Sequence, residues 1–430
     1  MSKFRTVRGM RDFLPEQART MRYIENLARE LAKLYGFKEV ITPVVESYDL
    51  LAAKSGEEIR QRMYAFKDLG GRKVALRPEF TASIARLVAT TLRNEPKPLR
   101  LFCAGSLYRY DEPQLGRYRE FWQSNFELIG SKNPEADAEI LTLTNDLMER
   151  LGLKNYWFKV GHMGILRGIL GEEGVKEEDQ NLIMQRFDKK LWEEGLKILE
   201  KLKVSRKCLE TIKNLMKIHG TKIEDVLGKV KKKVKDYEVS VSAVENLEEI
   251  LNLTFESGVK FEVSIEPAFA RGLEYYTGII FEVFTPELEI ALSGGGRYDK
   301  LIELFGGEPT PAVGVAHGID RIMLAMEKQK IKPKLPEKPL VVIIPIEEDL
   351  KSKALELAIQ LRKKGVCTEV EVMRRTATRA LQDADRRGAT HTVLVAPKEL
   401  KEGKVVLRDM QLREQKAVDL EKLPNEILDE

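Results

Sequence analysis

The chain is poor in the residues that most often build metal and redox centres. It has three cysteines and four histidines in 430 residues. Cys103, Cys208 and Cys367 are far apart and odd in number, so they offer neither a metal-ligand spacing nor a disulfide framework. His162, His219, His317 and His391 are equally scattered, and no protein-held metal site is expected. No run approaches the roughly 20 apolar residues needed to cross a bilayer, which excludes a membrane partner from the reading. Met1-Ser2-Lys3-Phe4-Arg5 lacks an apolar signal region, so the expected location is cytoplasmic. The net charge of +4 is too small to announce nucleic acid by itself, and any RNA contact must come from a local basic patch. Gln and Asn are few beside abundant Lys and Glu, a thermophile-like bias. What remains is ordinary for a folded protein: 43% hydrophobic and 33% charged residues, with length for two or three domains.

The chain divides by pattern. Met21, Ile24, Leu27, Leu31 and Leu34 have helical spacing over Thr20–Tyr35, with Gly36 as the C-cap. Phe37 to Glu46 reads as one strand in which Pro43 suits an edge or a bend. Strand-like segments recur to about residue 160. From about 165 to 255 the sequence is charge-dense and helical, as an insertion between two halves of a sheet. Within it, Lys229–Lys235 holds five lysines in seven residues, either a solvated helix face or an RNA contact. Strands resume at Lys260–Ile265 and run to Asp320. Residues 328–339, punctuated by Pro333, Pro336 and Pro339, form a linker. Beyond it, buried strands at Leu340–Ile344 and Thr392–Ala396 alternate with helices at Asp349–Lys364 and Thr378–Gly388, which argues a small α/β domain with a mixed sheet.

The chemistry concentrates in a few segments. Arg109 to Glu127 carries Arg109, Arg117 and Arg119 around a Pro-Gln-x-Gly turn. Strand-like Leu101–Ala104 and Leu107–Tyr108 precede the turn. After it, Tyr118, Phe121, Gln123, Asn125 and Glu127 keep a strand spacing. Two strands joined by an arginine-bearing loop suit a nucleotide, since guanidinium forks match phosphate oxygens and a ring can cover a base. Leu76-Arg77-Pro78-Glu79-Phe80-Thr81 places Glu79 and Thr81 together. Arg271-Gly272-Leu273-Glu274-Tyr275-Tyr276 adds another arginine and two tyrosines. Gly294-Gly295-Gly296-Arg297-Tyr298-Asp299 lets a substrate lie against backbone, or is only a flexible turn. In Thr310 to Arg321 a glycine-bearing strand, with Gly314 and Gly318, passes into a helix.

Together these segments closely resemble the class II aminoacyl-tRNA synthetases, and among them the histidyl-tRNA synthetase family. Arg109–Glu127 resembles motif 2, Thr310–Arg321 motif 3, and the helix and strand up to Pro43 motif 1, the dimer element. Arg271–Tyr276 is similar to the histidine-specific peptide, and Gly9-Met10-Arg11-Asp12-Phe13-Leu14-Pro15 to the family's N-terminal peptide. The departures are Glu274, where Asp is more usual, and Trp122, where many relatives have His. The implied fold is α+β: a class II catalytic domain with an antiparallel sheet over 1–327, a helical insertion at about 165–255, and a C-terminal α/β anticodon-binding domain over 340–430. In that domain Arg374, Arg375, Arg379, Arg386 and Arg387 would supply the local patch for a tRNA backbone.

The resemblance implies an ATP-dependent ligase of protein biosynthesis with no protein nucleophile. Arg109 and Arg271 would be catalytic, clamping the α-phosphate from opposite sides. Arg109, Arg117, Phe121 and Arg321 would bind ATP, with Phe121 stacked on adenine. Glu79, Thr81, Gln123, Glu127, Arg271, Tyr275 and Tyr276 would bind histidine. A neutral imidazole has one donor and one acceptor nitrogen; Glu127 would face the donor and Tyr276 the acceptor, with Glu79, Thr81 and Gln123 at the ammonium end. Mg2+ would arrive with ATP rather than in a protein metal site, and the partners would be tRNA-His and a second copy of the chain in a homodimer. Two rivals share the scaffold. A regulatory subunit of the phosphoribosyltransferase of histidine biosynthesis would lose activating arginines and the C-terminal domain. A glycyl, threonyl or prolyl synthetase would not need the Arg271 peptide.

Overall fold

Period-2 alternation decides the architecture of the larger unit. In the strand after the arginine loop, Phe126 and Leu128 point to one face and Gln123, Asn125 and Glu127 to the other. The apolar face is fully covered: Phe126 packs edge-on to Phe37 and against Phe102, all within 4% exposure. The polar face is left to the site. The computed structural model describes residues 4–53, 56–334 and 339–428. Met1, Ser2, Lys3 and the linker's Pro336 lie outside the described residues. The chain forms two compact units, Met1–Pro333 and Lys334–Glu430.

The strands of the first unit, in chain order, are β1 (Lys38–Glu39), β2 (Val45–Ser47), β3 (Ala65–Lys67), β4 (Lys73–Leu76), β5 (Leu99–Tyr108), β6 (Glu120–Ile129), β7 (Trp157–His162), β8 (Glu262–Ile265), β9 (Ile279–Thr285), β10 (Leu288–Arg297) and β11 (Ala312–Gly318). Eight form one sheet in the order β1-β5-β6-β11-β10-β9-β7-β8. Its interior pairs are antiparallel and only the two edge pairs, β1 with β5 and β7 with β8, are parallel. The helices Pro15–Leu34, Pro134–Arg150 and Ile319–Lys328 lie against one face and bury Ile24, Leu31, Ile140, Leu147 and Ile322 completely.

The segment Phe37–Glu46 is not the single strand its composition suggests. β1 joins the large sheet beside β5, whereas β2 pairs with β4 in a separate three-stranded sheet. Arg77 explains the break. Its guanidinium donates to the carbonyl of Thr42 at 2.7 Å and to the Thr42 hydroxyl at 3.3 Å, drawing the chain out of the first sheet at Pro43. Most of the apolar stripe of the first helix is not a free surface: Met21, Ile24 and Leu31 are buried within their own unit and Leu27 is partly buried, while Leu34 at its end is exposed.

Between β7 and β8 the chain is helical from Met163 to Glu256. Val226, Leu227, Val230 and Val234 of the helix Ile223–Val234 are buried. Its lysines stay outside, and Lys231 pairs with Glu248 at 2.9 Å and Glu245 at 3.6 Å. The second unit holds β12 (Leu340–Pro345), β13 (Cys367–Val370), β14 (His391–Val395), β15 (Lys404–Asp409) and β16 (Gln415–Asp419) in the order β13-β12-β14-β15-β16, parallel through the first three and antiparallel beyond. Buried Val341 and Ile343 face one apolar cluster and Val342 and Ile344 another, which is why β12 reads as a continuous apolar run.

Candidate active site

Register carries the polar faces of neighbouring strands onto one surface. Gln123, Asn125 and Glu127 of β6 stand opposite Gly318, Ala316 and Gly314 of β11. Ala316 faces Gly294 of β10, Gly294 faces Glu282 of β9, and Glu282 faces Lys159 of β7. The middle of this floor is therefore nearly bare of side chains. Two glycines are required by close approach rather than by flexibility. A Cβ on Gly314 would lie 1.7 Å from Glu127 Oε2, and one on Gly294 would lie 2.7 Å from Arg271 Nη1. Above this floor is a cavity of about 740 Å³. Glu79, Thr81, Arg109, Arg117, Phe121, Gln123, Glu127, Arg271, Tyr275, Tyr276 and Arg321, which come from four separate sequence segments, all line it.

One end of the cavity is a buried acidic and phenolic cluster. Glu127, 1% exposed, accepts from the Thr81 hydroxyl at 2.9 Å, from Asn125 Nδ2 at 3.3 Å and from the Tyr298 hydroxyl. Burial pushes its carboxyl up to about 7; these hydrogen bonds oppose the shift and the Glu79 charge adds to it. Glu79 accepts from the Tyr275 hydroxyl at 3.1 Å. Its carboxyl is also raised by burial, against the pull of Arg109. Tyr276 lies 4.8 Å from Tyr275, ring to ring, and burial raises its hydroxyl to about 12 although Arg271 opposes the rise. The phenols stay protonated and are donors at neutral pH.

The rest of the cavity is cationic. Arg109 is braced by donating to the Pro78 carbonyl at 2.9 Å, and its guanidinium lies 5.3 Å from the Phe121 ring centre. Arg321 opens the helix after β11 and donates to the carbonyls of Ala291 at 2.8 Å and Gly116 at 3.2 Å. Burial, then the like charges of Arg109 and Arg117, lower it to about 10. Like charges gathered in this way suit a polyanion, which would relieve their repulsion. Arg271 contacts Glu282; burial opposes its charge, but Glu282 first, and then Tyr276, Asp188 and Tyr275 together, outweigh that penalty and hold the guanidinium firmly charged.

The structure separates the third arginine of the loop from the others. Arg119 is buried, lies 3.7 Å over the Tyr110 ring and donates through Nε to the Asp111 carbonyl at 3.1 Å. Tyr298, which the glycine peptide carries, is the donor to Glu127 and is not among the expected site residues. Glu282, the counter-charge of Arg271, and Asp320, which accepts from Trp122 N at 2.6 Å and pairs with Arg11, are likewise not among them. No local signal marks Glu282 or Asp320; their partners are distant in sequence. Among the described residues no group of His, Cys, Asp and Glu has metal-holding geometry.

Comparison with known proteins agrees with this geometry. Residues 9–322 match the family described as histidyl-tRNA synthetase, and residues 340–430 match the anticodon binding domain family. The chain is 43% identical to a protein of Methanocaldococcus jannaschii named histidine–tRNA ligase, over 98% of this chain and 99% of that one. Its fold is similar to the crystal structure of histidyl-tRNA synthetase from Nostoc sp. PCC 7120, with TM-score 0.79 and 25% identity, covering all of both chains. It is likewise similar to that of the S. aureus enzyme, with TM-score 0.76 and 27% identity over 99% of each chain. With its sheet, its arginine-lined cavity and these matches taken together, the chain belongs to the histidyl-tRNA synthetase family of class II aminoacyl-tRNA synthetases.

Proposed function

We propose that the protein joins histidine to ATP, forming histidyl-adenylate and releasing pyrophosphate, and then transfers histidine to the 3′ end of tRNA-His. The observation that carries this reading is one cavity with a cationic part suited to triphosphate and a buried acid–phenol cluster suited to an ammonium and an imidazole. In adenylation the histidine carboxylate attacks the α-phosphorus and pyrophosphate leaves with Mg2+. Two anions must meet and charge builds on phosphorus, so the protein's task is positioning and charge neutralisation rather than nucleophilic attack. Arg109 and Arg271 take opposite sides of the α-phosphate. Arg117 and Arg321 take the outer phosphates, and Phe121 covers adenine. Mg2+ is held by the ATP phosphates.

Glu127 accepts from one ring nitrogen of histidine and Tyr276 donates to the other. Glu79, Thr81 and Gln123 bind the ammonium group, and Tyr275 closes the pocket while bracing Glu79. A competitor without both ring nitrogens would leave buried polar groups unpaired, a discrimination on the order of 10⁴-fold. In the second unit Arg375, Arg386 and Arg387 are gathered on Asp383, while Arg374 and Arg379 stand exposed to meet a tRNA backbone. We further propose a homodimer, because Val45 and Phe66 of the small three-stranded sheet, and Ile41, Val44 and Leu69 in the segments beside its strands, are exposed. Charging of a tRNA-His transcript tests the whole cycle. Labelled histidine should attach only with ATP and Mg2+, and not after periodate destroys the terminal ribose diol. Failure to charge under these conditions would refute the transfer step.

A further inference from the structure

The peptide that carries Arg271 has little backbone support of its own. Among the described residues, backbone–backbone hydrogen bonds of good geometry reach Phe269 N on one side and Thr277 N on the other, and residues 270–276 between them have only a loose turn at Glu274–Tyr275. A loop of this kind loses its geometry unless something else offsets its conformational entropy. The helical insertion supplies the tie. Its helix Glu177–Asp188 ends against the loop, and Asp188 Oδ2 accepts from Gly272 N at 2.9 Å. One turn earlier, Gln185 Nε2 donates to Glu274 Oε1 at 3.2 Å. Gly56 packs on the same point: a Cβ there would stand 3.2 Å from the Gly272 carbonyl and 3.5 Å from Gln185 Nε2. A Cβ on Gly272 would come 2.9 Å from Asp188 Oδ2 and push on the carboxylate that accepts from Gly272 N. The chain then leaves the helix at once through Lys190, a non-glycine residue at φ 57°. Gln185, Asp188, Lys189 and Lys190 also line the cavity, so the insertion is a wall of the site and not a separate appendage.

We propose that Asp188 and Gln185 are positioning residues, by which the insertion holds the Arg271–Glu274 loop and sets the Arg271 guanidinium for adenylation. The proposal rests on the adenylation reading above. Neither residue touches the reacting atoms; both act through the loop. The Asp188 contact is the stronger of the two, because an ionised acceptor on a backbone N–H is a charge-assisted hydrogen bond. Asparagine at 188 keeps the acceptor oxygen and removes the charge. It therefore separates the hydrogen bond from any electrostatic effect on Arg271.

Single-turnover adenylation tests this in Asp188→Ala, Asp188→Asn and Gly272→Ala, each also combined with Arg271→Ala, with melting temperatures as a check on folding. Asp188→Ala and Gly272→Ala should slow adenylation about 10- to 100-fold while KM for histidine stays within about threefold, since small misplacements cost this much. Asp188→Asn should remain within about threefold of wild type, as its amide oxygen still accepts from Gly272 N. In the Arg271→Ala background Asp188→Ala should add nothing, because both changes remove the same contribution. Wild-type rates in Asp188→Ala, an equal loss in both backgrounds, or an Asn variant as damaged as the Ala variant would overturn the proposal. If the wild-type chain itself shows no histidine-dependent adenylation, the adenylation reading fails instead. The latch is then judged by hydrogen–deuterium exchange of residues 270–276, which must quicken in Asp188→Ala; unchanged exchange would refute it.

Discussion

Glu127 is a buried carboxylate whose contacts are two hydroxyls and an amide rather than a cation. Its carboxyl is pushed up to about 7 by burial, so it takes up a proton at far higher pH than an ordinary glutamate. A raised value in the folded state contributes stability below the ordinary glutamate range near 4.5, and that contribution is lost as pH rises through about 7. Glu127→Gln cannot titrate. The melting temperature of wild type should therefore fall relative to that of Glu127→Gln between pH 5 and pH 8, when no histidine is added, and a constant difference would show that Glu127 does not titrate in this window. Arg271 leads to a kinetic expectation. Its charge is needed most where phosphorus is five-coordinate, so Arg271→Ala should slow adenylation by roughly 3 to 4 kcal/mol in barrier with a smaller change in histidine affinity. Single-turnover adenylation within twofold of wild type would remove Arg271 from this role. Arginine-rich motifs and a period-2 polar face were legible in sequence because each lies within one segment. Tyr298 as the donor to Glu127 was not, because that pair exists only after β6, β11 and β10 are in register.

At the scale of elements, the joint between β11 and the helix Ile319–Lys328 decides where Arg321 stands. Asp320, 5% exposed, accepts from Trp122 N at 2.6 Å and contacts Arg11, which lies 3.2 Å over the Tyr118 ring. One carboxylate thus ties together the N-terminal peptide, the arginine loop and the start of the helix. Asp320→Ala strands a backbone donor and leaves a guanidinium without its partner, which should destabilise the fold by about 2 to 4 kcal/mol. Thermal unfolding measures this, and a change in melting temperature of less than a degree would show the brace to be incidental. The same scale shows where sequence reading failed. The long elements β5, β6 and β12 are set by their own alternation or apolar run. The switch from β1 to β2 is set by Arg77, over 30 residues away, and no local pattern encodes it.

For the whole molecule, the division into Met1–Pro333 and Lys334–Glu430 falls in a proline-rich stretch that carries no apolar pattern. Self-association was expected from the first helix and the strand edge that runs to Pro43; Met21, Ile24 and Leu31 of the helix are covered within the chain, while Leu34 is exposed. The exposed apolar residues from Ile41 to Leu69 now carry the expectation. Light scattering at micromolar concentration should give twice the 49.1 kDa chain mass, and Phe66→Asp should shift the protein toward monomer. A fully active monomer would refute the dimer and leave the chemistry untouched. The chemistry is tested most directly by ATP–pyrophosphate exchange with each of the standard amino acids in turn, with Mg2+ present. Exchange stimulated by histidine, and by no other amino acid to a comparable rate, is the expected result. Exchange stimulated by another amino acid and not by histidine would contradict the assignment.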